Sequence, residues 1–264
     1  MSINEYSLSE LIGGGRRRAK IQKTKIDWCD YTWNCASGCL NNCPYCYARK
    51  IALRFPSVYP NGFEPTFYPA RYSKSLPKKP SIIFVNSMFD IFTDSSYKYY
   101  PDLPPHTIAT QHVIGLIFDK AKKNKQHFFL ALSKLPFPYW FNIPKPKNFW
   151  IGYSLTKESE DIDRTDLRKF DFISAEPLDI DLLFKRLKEI IKPRPNIVQH
   201  KRWVIIGCQT NPIVIDTDRK AILKLYEQLK KADIPLFIKN PLREKLDVDI
   251  TEYPREILNH LKRR

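Results

Sequence analysis

Six short runs in this chain, 81–86 (SIIFVN), 127–133 (HFFLALS), 149–154 (FWIGYS), 170–174 (FDFIS), 203–208 (WVIIGC) and 235–239 (PLFIK), are almost continuously apolar. A strand with one wet face would alternate polar and apolar residues. These runs do not alternate, so they predict parallel strands covered on both faces. Between them, 108–123, 180–192 and 219–231 carry apolar residues at three- and four-residue intervals, as helices with one buried stripe do. Leu182, Leu183, Leu187, Ile190 and Ile191 form one such stripe, and Ile222, Leu223, Leu225, Tyr226 and Leu229 another. Asp216 and Asp218 mark a helix start, and Pro193 ends the helix before it. With a first strand inside 26–33, the pattern gives about seven parallel strands with right-handed crossovers, an α/β fold of full or partial (β/α) barrel type.

The domain reading follows from the same pattern. Residues 26–264 read as a single α/β barrel domain that ends in a terminal helix over 251–264, a size that buries a substantial core. Residues 1–25 contain GGGRRRAK without apolar periodicity and read as a flexible basic arm. The glycines Gly13–Gly15 are followed by no Gly-Lys-Ser/Thr, so they make a hinge rather than a phosphate loop.

In α/β barrels the active site forms at the carboxyl ends of the strands. Nearly every apolar run here stops at polar residues: Asn86 and Ser87 with Asp90 close by, Ser133 and Lys134, Ser154, Ser174 and Glu176, Cys208 with Gln209, and Lys239 with Asn240. Taken singly, each is ordinary loop polarity; their recurrence marks a site. Lys134, Glu176 and Lys239 stand out because a charge beside a buried run is costly unless it meets a partner or a ligand. One reading pairs Glu176 with a lysine. The other has the two lysines receive an anion while Glu176 or Ser154 takes hydroxyl or amino groups. Cys208 reads either as a small buried hydrophobe or as a thiol able to give a hydrogen atom.

Five of the six cysteines crowd between Cys29 and Cys46, which does not suit a disulfide framework in a chain of this length. Cys39, Cys43 and Cys46 are spaced C-x3-C-x2-C directly after the first strand. Three thiolates in one loop are one short of a four-iron, four-sulfur cluster's usual complement and leave one iron open to a non-protein ligand. Alternatively, Cys35 completes a four-thiolate zinc site, although structural zinc usually sits between two separated knuckles and no second knuckle occurs. Inert thiols are the remaining reading.

The net charge of +16, from 44 basic and 28 acidic residues, implies a polyanionic partner or simple solubility. No apolar run reaches the length of a membrane span. Without a leader and with a reactive cysteine loop, the chain is expected in the reducing cytoplasm. Twenty-one prolines against eight glycines suggest stiff connections.

The segments WCDYTWNCASGCLNNCPYCYA, FVNSMFDIF, LALSK, FWIGYSL, FISAEPL and RWVIIGCQTNP, then PLFIKN, occur in that order over about residues 26–240. The cysteine spacing, with aromatic Tyr45 before the last thiol, resembles the signature of the radical S-adenosylmethionine (SAM) superfamily. The order of motifs resembles a phage-associated radical-SAM-like family of unknown function, nearest in style to spore photoproduct lyase. This resemblance implies a radical SAM type barrel with a [4Fe-4S] cluster on Cys39, Cys43 and Cys46. It implies SAM contacts from Tyr45, Asn86, Ser87, Ser154 and Glu176, with Asn86 and Ser87 standing where the superfamily has a Gly-Gly-Glu turn. Lys134, Lys239 and Cys208 are then the expected catalytic residues. The expected function is reductive SAM cleavage and hydrogen abstraction from a nucleotide or nucleic-acid substrate, with an external electron donor. The arm around Arg16–Arg18 would add contacts to phosphates. Two alternatives stay open: a non-catalytic zinc-stabilised nucleic-acid-binding protein, and a radical SAM enzyme acting on a peptide or small metabolite.

Overall fold

The computed structural model describes residues 20–93, 96–99, 107–139, 141–159, 165–192, 202–210 and 212–262. Eight strands form the main sheet: β1 (Gln22–Lys23), β2 (Tyr31–Trp33), β3 (Ile82–Val85), β4 (Phe128–Ser133), β5 (Phe149–Ser154), β6 (Phe172–Ala175), β7 (Trp203–Ile206) and β8 (Leu236–Ile238). They lie side by side in sequence order. From β2 to β8 every pairing is parallel, and β1 runs antiparallel to β2 at the edge. Five helices of at least eight residues accompany them: α1 (Tyr47–Arg54), α2 (Thr110–Lys123), α3 (Ile180–Ile191), α4 (Arg219–Lys231) and α5 (Arg255–Lys262).

The continuous apolar runs are explained by two cores. Phe129, Ile151, Ile173, Val204, Ile206 and Ile238 point to one side, where they meet Ile117 and Phe118 of α2, Leu183 and Leu187 of α3, and Ile222 and Leu225 of α4. Phe84, Leu130, Trp150, Phe172, Trp203 and Phe237 point to the other side and pack with Trp28 and Ile257. Asp179 and Asp218 start α3 and α4 by accepting the N–H of Leu182 (3.0 Å) and Ala221 (2.7 Å).

The sheet is strongly curled. The indole of Trp28 lies 4.7 Å from the Phe84 ring of β3 and 6.3 Å from the Trp203 ring of β7. Four strand spacings would hold β3 and β7 about 19 Å apart in a flat sheet. Burying one indole removes roughly 200 Å² of surface from water, a gross gain on the order of 5 kcal/mol. The two ends of the sheet meet through the loop after β1: the Asp27 carboxylate accepts the Asn240 backbone N–H (2.8 Å), and the Tyr253 hydroxyl donates to the Asp27 carbonyl (3.3 Å). No strand pairing joins β1 to β8 among the described residues, so the full-barrel expectation gives way to an open sheet.

Other expectations shift at their edges. Strand β6 begins at Phe172 rather than 170, because Phe170 follows a short 3-10 turn over Leu167–Lys169. The terminal helix spans Arg255–Lys262 within the expected 251–264. The expected basic arm lies outside the described residues up to residue 19. From Lys20 onward its last residues belong to the sheet edge, since Ile21 is buried and Gln22–Lys23 pair with β2. A second sheet not expected from the sequence joins Ala36–Ser37, Thr66–Phe67, Ser96–Tyr99 and Thr107–Ala109.

Gly152 is the one small residue on the inner face of β5. A Cβ there would stand 2.5 Å from the fully buried Phe172 ring. Gly152→Ala is therefore expected to destabilise the protein by about 1–3 kcal/mol, read from the urea unfolding midpoint. Adding Phe172→Leu should restore part of that loss; a second substitution that only worsens stability would contradict the overpacking.

Candidate active site

Each strand from β2 to β8 delivers its C-terminal residue to the same edge of the sheet, and a cavity of about 690 Å³ opens there. All eleven side chains marked by the sequence line it: Cys39, Cys43, Tyr45, Cys46, Asn86, Ser87, Lys134, Ser154, Glu176, Cys208 and Lys239. They arrive from seven separate segments, so the convergence is a product of the fold.

The cysteine loop starts at a glycine for a steric reason. Gly38 has φ +87, and a Cβ on it would lie 2.4 Å from the Glu64 carbonyl oxygen. Its N–H donates to the Met88 carbonyl (2.9 Å), which pins the loop to the end of β3. The loop ends at Cys46, the N-cap of α1, whose Sγ accepts the Arg49 N–H (3.3 Å). Burial pushes the Cys39 thiol up to about 12 and the Cys43 thiol upward, with the Lys134 ammonium opposing the latter shift. Cys39 and Cys46 pack against a small cluster of Ala48, Ala52, Phe63 and Met88.

Cys35 goes elsewhere. It is fully buried in the helix-side core, does not line the cavity, and burial raises its thiol to about 12. The four-thiolate zinc site of Cys35, Cys39, Cys43 and Cys46 therefore does not assemble. Among the described residues no three His, Cys, Asp or Glu side chains converge on one point as a single ion demands. A cluster places its thiolates on different irons, so three cysteines around a cavity suit it without meeting at a point.

Lys134 is held by hydroxyls. Its ammonium donates to Tyr45 Oη (3.0 Å), Ser154 Oγ (3.1 Å) and Thr156 Oγ1 (3.1 Å), and burial lowers its pKa. Tyr45 in turn donates to Glu158 Oε2 (2.9 Å). Lys239 differs: it forms an ion pair with Glu176, the more modest of the two readings of these charges. Gly207 makes room for that pair, since a Cβ there would meet Glu176 Oε1 at 3.1 Å and Lys239 Cδ at 3.2 Å. Cys208 is 3% exposed at the end of β7, and burial raises its thiol pKa.

Asn86, expected to meet a ligand with its side chain, is bound to protein instead. Its amide donates to the Leu132 carbonyl and accepts the Leu132 N–H (3.1 Å), bridging β3 to β4. Beside it, Ser87 Oγ accepts from Asn34 Nδ2 (2.7 Å).

Sequence reasoning missed the group that organises this edge. Asp90 is 6% exposed, and its Oδ1 accepts from Ser133 Oγ (2.6 Å) and the Phe92 N–H (2.9 Å). Its Oδ2 accepts from the Lys134 N–H (2.7 Å) and Asn41 Nδ2 (2.9 Å). Burial pushes the carboxyl pKa upward, and the four donors oppose that shift by favouring the charge. The sequence held only an acidic residue near a strand end; no spacing connects it to Asn41. Thr156 and Glu158 carried no signal at all.

The family model described as "Protein of unknown function (DUF5131)" matches residues 23–243. The chain belongs to this DUF5131 family. The matched span runs from β1 past Lys239 and Asn240, so it contains every residue that lines the cavity, from Thr24 to Asn240. No curated protein and no solved structure matches the chain. No helix among the described residues is long and apolar enough to cross a membrane.

Replacing Asp90 tests its role in this DUF5131 protein. Asp90→Asn sets an amide N–H₂ against backbone donors, and leaving one buried donor unsatisfied costs about 1–3 kcal/mol. A urea midpoint equal to that of the parent protein would refute the proposed tie.

Proposed function

We propose that this DUF5131 protein is a radical SAM enzyme of the partial-barrel type, acting on a nucleotide or nucleic-acid substrate. The observation that carries the reading is the separation of the thiols: Cys39, Cys43 and Cys46 border one cavity with the polar strand ends, and Cys35 is withheld from it. This is the donor set that leaves one iron of a [4Fe-4S] cluster open. When bound, the cluster and SAM supply one-electron cleavage of a carbon–sulfur bond and a 5′-deoxyadenosyl radical that abstracts hydrogen.

The chain's own residues supply orientation. Tyr45, Ser87, Ser154 and Glu176 offer hydroxyl and carboxylate groups to SAM, while Asn86 shapes the wall by holding β3 to β4. Lys134 is the better anion receiver of the two lysines, because hydroxyls satisfy its protons without cancelling its charge. Lys239 already faces Glu176, so that pair positions ligand hydroxyls rather than taking a phosphate outright. Cys208 is held as the thiol, the form able to give up a hydrogen atom. The charge of +16 favours a polyanionic substrate. A reducing cytoplasmic setting fits exposed cluster thiols.

Anaerobic reconstitution with iron and sulfide, then assay of 5′-deoxyadenosine from SAM under dithionite, tests the proposal. Cys39→Ala, Cys43→Ala and Cys46→Ala are each expected to abolish both the cluster's visible absorption and the product; Cys35→Ala is expected to keep both. Stoichiometric zinc held through four sulfurs, with no iron uptake, would overturn the enzyme reading. Polynucleotide affinity should fall steeply between low and moderate salt, and a flat salt response would remove the nucleic-acid half.

A further inference from the structure

The outer side of the cysteine loop and α1 forms a second functional surface. Ala48 and Ala52 turn α1 inward against Phe63 and Met88. The residues at i, i+3, i+4 and i+7 on its opposite side, Tyr47, Lys50, Ile51 and Arg54, are exposed. Of the eleven large apolar side chains exposed among the described residues, six fall between residues 40 and 58, and Leu40 and Leu53 are 63% and 64% exposed. Isolated exposed leucines are ordinary, but a concentration of this kind marks an interaction surface. The same stretch is free of negative charge. No Asp or Glu occurs between Asp30 and Glu64, and Glu64 itself is paired with Lys98.

We propose that this face docks an acidic protein carrying a one-electron cofactor at its surface, and that the protein reduces the iron–sulfur group held by Cys39, Cys43 and Cys46; the proposal rests on the radical SAM reading. In the transfer the carrier is oxidised by one electron and the iron–sulfur group is reduced by one. Charge and composition select the occupant. A second copy of this chain would set Arg54 and Lys50 against their own counterparts. A polynucleotide would lay phosphates over the exposed Leu40, Leu53 and Phe55, which satisfy none of them. An apolar centre beside cations is the composition of a protein interface, and electron-transfer encounters are small, under about 1,200 Å². The location fits the task as well. Cys46 caps α1 with its thiol accepting the Arg49 N–H, so the exposed face begins within about one helical turn, 5.4 Å, of a ligand thiol.

Two variants test the surface, Arg54→Glu and the double substitution Leu53→Ser, Phe55→Ser; none of these residues lines the cavity. Reduced flavodoxin, an acidic protein with an exposed flavin edge, serves as the donor, and oxidised flavodoxin and a DNA duplex serve as binding probes for the chain without its cluster. The expected result is flavodoxin binding that weakens about tenfold in each variant, with thermal unfolding unchanged. In the reconstituted protein both variants should keep the dithionite-driven rate of 5′-deoxyadenosine formation and lose about tenfold of the flavodoxin-driven rate. Equal flavodoxin affinity in parent and variants overturns the proposal. So does a loss of duplex affinity without a loss of flavodoxin affinity, or a concentration-dependent dimer abolished by the double substitution. If the parent makes no product even with dithionite, the underlying enzyme reading fails and the donor role fails with it, whatever the binding titrations show.

Discussion

Large rings on the inner face of the sheet converge on Trp28, and that contact sets the curvature from which the site follows. Phe84, Phe172 and Trp203 come from strands spread across the sheet, yet each has its ring within 6.4 Å of the same indole. A sheet of this length left flat would spread its strand ends over tens of ångströms. Curled around one tryptophan, it gathers them around one cavity. Gly152 is part of the same constraint: with every neighbouring inner position filled by a bulky side chain, the ring of Phe172 needs the space that a Cβ would take. The α helices then cover the outer face, which explains why neither face of these strands tolerates a polar alternation.

Curvature brings the strand ends close, but Asp90 fixes their relation. Its carboxylate gathers donors from the end of β4, from its own loop and from Asn41 between two of the thiols. A buried carboxylate is costly unless all its lone pairs are used. Here four donors use them, so the cysteine loop and the backbone of Lys134 are held as one unit. That unit aims the Lys134 ammonium at Tyr45, Ser154 and Thr156, and through Tyr45 at Glu158. The polar network and the thiols thus share a single anchor.

Much of the fold was legible, and the reason is physical. Strands covered on both sides write themselves as unbroken apolar runs, so β3 to β8 were found with ends shifted by one or two residues. The strands Gln22–Lys23, Ala36–Ser37 and Thr66–Phe67 were not, because two residues contain no period. Helix α1 was missed because its outward side carries Ile51 and Leu53, which blurs the contrast on which an amphipathic reading depends. For the site, the charged and polar residues at strand ends were visible one by one, and all of them reach the cavity. What each one binds was not visible. Asn86 engages Leu132, Lys239 engages Glu176 and Asp90 engages Asn41, and each partner lies more than forty residues away in the chain.

The clearest case is the count of thiols. Four residues separate Cys35 from Cys39, the same interval that separates Cys39 from Cys43, so spacing alone puts all of them in one group. The fold divides them. Ala36 and Ser37 pair antiparallel with Phe67 and Thr66, and this short ladder leaves Cys35 among the helix-side core residues. Gly38 then adopts a left-handed backbone against the Glu64 carbonyl, which redirects the chain before Cys39. A buried thiol whose surroundings are core side chains gains nothing by ionising, since desolvation penalises the thiolate. Cys39, Cys43 and Cys46 sit instead on a loop with one side toward the cavity and the other toward the exposed face of α1. A metal group held there would be reachable from both directions. A small-molecule ligand would approach through the cavity and a protein from outside, and the incomplete thiol set makes the first approach chemically useful.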